Sequence, residues 1–234
     1  MTANTFEASD HDRFSDWLRE RAEPDWSAAV DHRLVEELAA GEIEDAVFRR
    51  YLVQDYAFVG TLASVVGYAA GQAPTVEAKG ELAGFLGTLT SDEDDYFERS
   101  FDALGVPEAQ RQDPDRNDVT EAFCDLLVRG ALEGGYAETL AVLLPVEWVY
   151  LEWASARADA APERFYLAEW IDLHAIPEFA AFVGWLREEL DAYGSELPPR
   201  RQRQIERHFR RAVTLEVAFF DAAYEPPVGG EPSW

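Results

Sequence analysis

The sequence contains a single cysteine, Cys124, which excludes an intramolecular disulfide framework and a cysteine-based zinc cluster. It also contains a single lysine, Lys79, so almost all of its 20 cationic residues are arginines. Against these stand 46 Asp and Glu, for a formal charge of −26. A field of that sign repels nucleic-acid phosphates and anionic lipid, and neither is expected as a partner. Carboxylates hold water and counterions in concentrated salt, where the Debye length falls to about 3 Å at 1 M. An acidic excess almost without lysine therefore suggests adaptation to a salty cytoplasm, an ordinary acidic protein being the alternative. The first residues lack a basic segment followed by an apolar one, so no secretory signal is expected and the setting is read as cytoplasmic. Asn-Gly and Asp-Gly hairpin turns are missing and β-branched alternation is scarce, which argues against sheets.

What is present favours helices. With 47% apolar and 13% aromatic residues, the 234-residue chain has material for one full core, and a chain of this size buries about 70–75% of its extended surface. Apolar residues recurring at offsets of three and four predict helices over residues 10–21, from Pro24 to a stop at Gly41, over 44–72, and over 76–104. Residues 109–118 read as a loop before a helix from Val119, and Pro145 should kink the apolar run that follows. Further helices are predicted over 162–173, 177–193 and 198–224. Residues 56–76 carry no formal charge and approach bilayer-spanning length, yet Gly60, Gly67, Gly71, Gln72 and Pro74 dilute them. They read as a buried helix in which Gly67 and Gly71, spaced GxxxG, let a neighbour approach closely. The expected architecture is one all-α domain over residues 10–225, between a flexible N-terminus (1–9) and a flexible C-terminal tail (226–234).

Carboxylates on apolar helix faces need a reason, because burying an unpaired one costs several kcal/mol. Asp55 is the only charge on the stripe Phe48, Tyr51, Asp55, Phe58, Leu62. Glu216 is likewise the lone acid among Phe209, Val213, Phe220 and Ala223. Each is either a structural ion-pair or capping residue, or part of a site in which burial raises its pKa toward the range useful for proton transfer. In ETLAVLLPVEWVYLEWA, Leu143, Val146, Tyr150 and Trp153 share a face, with Glu147 beside it and Glu152 toward the other side. The aromatics of that segment are read as core unless other residues join them.

Taken in order, YLVQDYAF, YAETLAVLLPVEWVYLEWA, WIDLHA and TLEVAFFDAAY resemble the TenA-like thiaminase II family, and the acidic segment TSDEDDYFERSFDALG lies where that family has an acidic helix. The resemblance runs from about Arg13 to Tyr224. It implies a haem-oxygenase-like multi-helix bundle, often tetrameric, so that a homo-oligomer (tetramer or dimer) is expected. It also implies hydrolysis of the bond between a methylpyrimidine's exocyclic methylene and an amine or thiazolium, with a small pyrimidine as substrate and no cofactor or metal. On the resemblance, Asp55 holds the aminopyrimidine ring, Glu216 handles protons at the leaving amine, and Tyr150 orients the catalytic groups. The nucleophilic cysteine expected after LLP is replaced by Val146, and three pocket tyrosines appear as Phe58, Phe123 and His174, with Tyr51 on the Asp55 stripe as a further pocket residue. This pattern is similar to a branch of the family that lacks the cysteine and acts on amino or formylamino pyrimidines. Without a thiolate, water activated by a carboxylate is the expected nucleophile, with Glu216 or Glu147 as base. His174 either donates to the substrate or is satisfied by backbone. Cys124, one position past Phe123 and so about 100° round a helix, is expected to face elsewhere as a small core residue. His32 is given no role, and His11 and His208 are expected to be solvated.

Two other classes stay open. A di-iron oxidase on the same bundle needs E-x-x-H pairs, of which the sequence has none. A non-catalytic pyrimidine-binding or regulatory protein is compatible with the lost cysteine and tyrosines. The basic run PPRRQRQIERHFRR resembles no DNA-reading element and is expected to meet acidic neighbours or a partner subunit.

Overall fold

A computed structural model describes residues 5–225, the Asp92 side chain excepted. A 3₁₀ turn at Phe6–Ala8 precedes α1 (Phe14–Arg21), α2 (Asp25–Val30), α3 (Arg33–Ala40), α4 (Asp45–Gln72), α5 (Val76–Leu89) and α6 (Asp92–Leu104). Then come α7 (Glu108–Gln112), α8 (Asp118–Glu133), α9 (Tyr136–Ala156), α10 (Phe165–Ala175), α11 (Pro177–Gly194) and α12 (Pro199–Ala222). Among the described residues there is no strand. Expectations for residues 1–4 and for the tail 226–234 lie outside the described residues.

α9 is the axis of the bundle. Residues 137–150 are all buried, because this stretch is apolar nearly all round and no face prefers water. Helices α2, α4, α8, α10, α11 and α12 pack around it, and α5 and α6 lean on α4. Pro145 lies inside α9 without ending it, since packing on every side outweighs one missing backbone bond. Gly41 (φ 68°) and Gly105 (φ 66°) close α3 and α6 in the left-handed conformation that glycine adopts without a Cβ clash. Asn117 starts α8 by accepting from the N–H groups of Val119 (3.0 Å) and Thr120 (2.8 Å).

Several expectations are corrected. The helix over 76–104 is two helices, broken at Thr90 and Ser91. Their hydroxyls donate to the carbonyls of Leu86 (2.8 Å) and Gly87 (2.7 Å), competing with the backbone groups that would continue the helix. Part of the loop over 109–118 is the short helix α7. Gly67 and Gly71 face outward with open space beside them, next to a half-exposed Tyr68. Val65, Val66 and Ala69 turn inward instead, and Lys79 of α5 reaches the Gly71 carbonyl (3.2 Å), so among the described residues no helix backbone is pressed against the glycine edge. No helix of the described residues is long and apolar enough to cross a membrane. Packing also begins before residue 10, where Phe6 meets Phe14 edge-on at 5.3 Å. His208 is half-buried rather than solvated, and burial lowers its pKa. His32 has a structural task, accepting from the Leu34 N–H (3.1 Å) at the start of α3. In the basic run, Arg201 grips both oxygens of the buried Glu138 at 2.7 and 2.6 Å.

Candidate active site

Between α4, α5, α6, α9, α10 and α11 lies a cavity of about 500 Å³. Residues three and four apart on α4 and α9 project into it from one face each: Asp55, Phe58 and Leu62 from α4, and Val146, Glu147 and Tyr150 from α9. α10 contributes Trp170 and His174, α6 contributes Glu93, and Phe85, Phe179 and Phe182 form an aromatic wall, Phe85 stacking on Phe182 at 4.0 Å.

A hydrogen-bond chain reaches the cavity. The Trp170 indole N–H donates to the Tyr51 oxygen (3.1 Å), Tyr51 and Tyr150 share a 2.7 Å hydroxyl contact, and the Tyr150 hydroxyl donates to Asp55 Oδ1 (3.4 Å). Indole can only donate. When Asp55 is ionised the order is set: Tyr150 donates to Asp55, and Tyr51 donates to Tyr150 while accepting from Trp170. Both phenols are buried and their pKa values rise well above 10.0, so they stay protonated. His174 Nδ1 lies 2.9 Å from the Trp170 carbonyl. A carbonyl only accepts, so Nδ1 carries the proton and Nε2 is left as an acceptor. Burial lowers the His174 pKa to about 4, keeping the ring neutral. The histidine is thus satisfied by backbone and can accept from a ligand, but not donate to it through Nε2.

The acids are held against their solvation preference. Among the described residues, Asp55 (5% exposed), Glu147 (6%) and Glu216 (2%) form no ion pair with an arginine. Burial raises Asp55 to about 8, against the weaker opposing effect of the Tyr150 hydroxyl. Burial, then the neighbouring Asp55, raises Glu147 to about 8. Glu216 and Glu93 are pushed well above the ordinary range, first by burial and then by Asp55 and Glu147. Glu147 Oε1 and Glu216 Oε2 are both buried without a hydrogen-bond partner. Native proteins rarely leave such groups unpaired, and when they do the oxygen is available to a ligand or to water. Among the described residues, no group of three or more His, Cys, Asp or Glu is placed to hold a metal ion.

Of the residues singled out in the sequence, Asp55, Phe58, Val146, Glu147, Tyr150 and His174 line the cavity. Tyr51 stands one layer back and acts through its hydroxyl. Phe123 lies behind Phe58, the rings 4.7 Å apart, and also meets Phe219. Glu216 is not in the wall either; it sits behind it, close enough for Asp55 and Glu147 to raise its pKa. Glu93 and Trp170 are among the wall residues that the sequence reading missed. Glu93 shares a stripe with Tyr96, Phe97, Ser100 and Phe101, the same signal that exposed Asp55, but the acids around it hid the pattern. Trp170 follows Leu167 and precedes Ile171 and His174 on one face, which reads as core.

Cys124 is buried on α8 and absent from the cavity wall, and burial raises its pKa. Cys124→Ser should therefore leave kcat/KM within about twofold of the parent. Loss of turnover in a folded Cys124→Ser protein would place a thiol in the chemistry.

Residues 19–226 match the model of the TENA/THI-4/PQQC family, and the chain belongs to that family. It is 25% identical to the aminopyrimidine aminohydrolase of Halalkalibacterium halodurans, over 90% of this chain and 95% of the relative. It is 22% identical to that of Bacillus subtilis, over 91% and 90%. The structure superimposes on a TenA homologue from P. horikoshii with a TM-score of 0.81 at 23% identity, covering 91% and 98% of the two chains. A domain with a heme oxygenase-like fold from Shewanella denitrificans superimposes with a TM-score of 0.68 at 12% identity, covering 92% and 93%. The all-α bundle is thus of the haem-oxygenase-like kind.

Proposed function

We propose that this protein is an aminopyrimidine aminohydrolase: it cleaves the C–N bond at the exocyclic methylene of a thiamin-related pyrimidine, yielding the hydroxymethyl compound and ammonia. The observation that carries the reading is the convergence of Asp55 from α4 and Glu147 from α9 in the wall of one aromatic-lined cavity with Glu216 from α12 behind it, none of the three ion-paired to an arginine among the described residues. The relatives' name for their own activity supports the same reaction.

In this reading the ring lies among Phe58, Tyr150 and Trp170, with Asp55 on its nitrogen edge and the methylene toward Val146 and Glu147. Water attacks the methylene carbon and gives a proton to a carboxylate. The C–N bonding pair leaves with nitrogen, and the departing amine is released protonated. Glu216 is the proton-transfer acid, with Glu147, which lines the cavity and has an unpartnered oxygen, as its neighbour. Tyr150 holds Asp55 in place and is itself oriented through Tyr51 by Trp170. Phe58, Val146 and His174 shape the pocket, and Phe123 backs Phe58. No cofactor takes part. A cytoplasmic homo-oligomer adapted to high salt completes the proposal. The acidic, lysine-poor composition and the outward Gly67–Gly71 edge beside Tyr68 support it.

The test is ammonia release from 4-amino-5-aminomethyl-2-methylpyrimidine and from its formylamino derivative. Hydroxymethylpyrimidine and ammonia in equal amounts from the first is the expected result. Tight binding of both without turnover would make the protein a non-catalytic pyrimidine binder.

A further inference from the structure

The acidic side of the cavity is larger than the reaction above requires. Asp55, Glu93 and Glu147 line its interior, Glu81 and Glu178 stand exposed on its rim, and no lysine or arginine contributes to the wall. Glu93 is half-buried as a residue, lines the same cavity as Asp55 and Glu147, and makes no hydrogen bond or ion pair with another described residue. It is there because Thr90 and Ser91 end α5, so that α6 restarts with Glu93 in its first turn.

The donor and acceptor inventory of the wall points to a particular ligand chemistry. The Trp170 N–H is used on Tyr51, the Tyr150 hydroxyl on Asp55, and the Thr88 hydroxyl on the Gly84 carbonyl. His174 presents an acceptor, and Glu147 Oε1 is an enclosed oxygen with no partner. Once a cationic ligand draws these acids into their ionised form, acceptors outnumber free donors and the surplus charge is negative. A ligand that fits must bring several N–H donors and positive charge, and a phosphate group would meet repulsion with no cation to receive it.

We propose that Glu93 is a further substrate-binding residue, which receives the exocyclic nitrogen as its ammonium and makes the site select the charged, unphosphorylated aminomethyl pyrimidine over neutral ligands with the same ring. The inference rests on the proposed function and deepens it by naming the substrate's charge state. Glu93 holds the leaving group in place; it takes no proton from water. Its coupling to Asp55 and Glu147, which raises its pKa after burial does, agrees with a carboxyl group that lacks a counter-charge until the ligand arrives.

Isothermal titration at pH 7.5 of the full chain carrying Glu216→Gln, which slows turnover of the first probe, tests this with the aminomethyl pyrimidine and its hydroxymethyl counterpart, which differ in charge but not in ring. Glu93→Gln keeps the shape and removes the charge. Affinity for the aminomethyl compound should fall about tenfold to a hundredfold, the range for losing a hydrogen bond to a charged partner. Affinity for the hydroxymethyl compound should change less than about threefold, since its hydroxyl carries no charge to lose a partner. Glu93→Asp should lie between parent and Glu93→Gln for the first probe. Equal losses for both probes would make Glu93 structural, and no loss for either would remove it from the site; both results overturn the proposal. If the parent protein binds neither probe, the pyrimidine reading of the cavity itself fails, which separates the two claims.

Discussion

Glu216→Gln is expected to lower kcat by about 10²–10⁴-fold, the usual contribution of a positioned proton-transfer group. KM should stay within about threefold, because an interaction made at the transition state is lost while ground-state binding is kept. Steady-state kinetics on the aminomethyl pyrimidine read both parameters. The physical basis is the position of Glu216 on α12, 2% exposed, with Oε2 unpartnered and its pKa raised by burial and by Asp55 and Glu147. Burial favours the protonated form of such a carboxyl group in the empty protein, so glutamine is a close substitute and the fold should survive. Full activity in Glu216→Gln would falsify the role given to it. Proton transfer would then fall to Glu147, the other buried acid with a free oxygen, and Glu147→Gln should show the large loss in kcat instead.

Asp55→Asn should weaken ligand binding while stabilising the empty protein. Asp55 titrates near 8 in the folded chain, against an ordinary value of 3.8. The native state therefore holds the proton more tightly than the unfolded chain does. The stability linked to this group is complete below about pH 4 and is lost as pH rises through 8. Asparagine removes that dependence. Relative to the parent, the variant should gain stability steadily from pH 5 to 8.5, reaching the order of 1–3 kcal/mol, a common size for relieving a buried unpaired charge. Thermal unfolding would show this as roughly 2–4 °C per kcal/mol for a domain of this size. Pyrimidine affinity should fall by about tenfold to a hundredfold at the same time, through loss of a charged hydrogen-bond partner. Higher Tm with weaker binding is the signature of a residue kept for function. A variant that loses both would show that Asp55 is a structural residue.

Much of this was legible along the chain because helix periodicity is a local property. Phe48, Tyr51, Asp55, Phe58 and Leu62 declare a single face by their spacing, and Asp55 is conspicuous as its only charge. Glu216 stands out on α12 for the same reason, and the order of YLVQDYAF, LLPVEWVYLEWA and TLEVAFFDAAY carried the resemblance to the family. Glu93 obeys the same rule, yet sits among so many acids that its place on the Tyr96 and Phe101 stripe does not stand out. The break before it depends on which partners the Thr90 and Ser91 hydroxyls find, and propensity alone does not specify those. The Gly67–Gly71 spacing misled in the other direction: it describes a surface that permits close approach without saying whether a neighbour is there.

The sequence by itself determined an all-helical chain, the apolar face of each helix and the acids placed on those faces, because these follow from residue spacing within one element. Only the tertiary structure decided that Asp55, Glu93 and Glu147 share one cavity with Glu216 behind it, that a Trp170–Tyr51–Tyr150 chain steadies Asp55, and that His174 is neutral. Those properties depend on distances and dielectric between helices far apart in the chain, and the pKa of a carboxyl group is set by what surrounds it in space rather than by its neighbours in sequence.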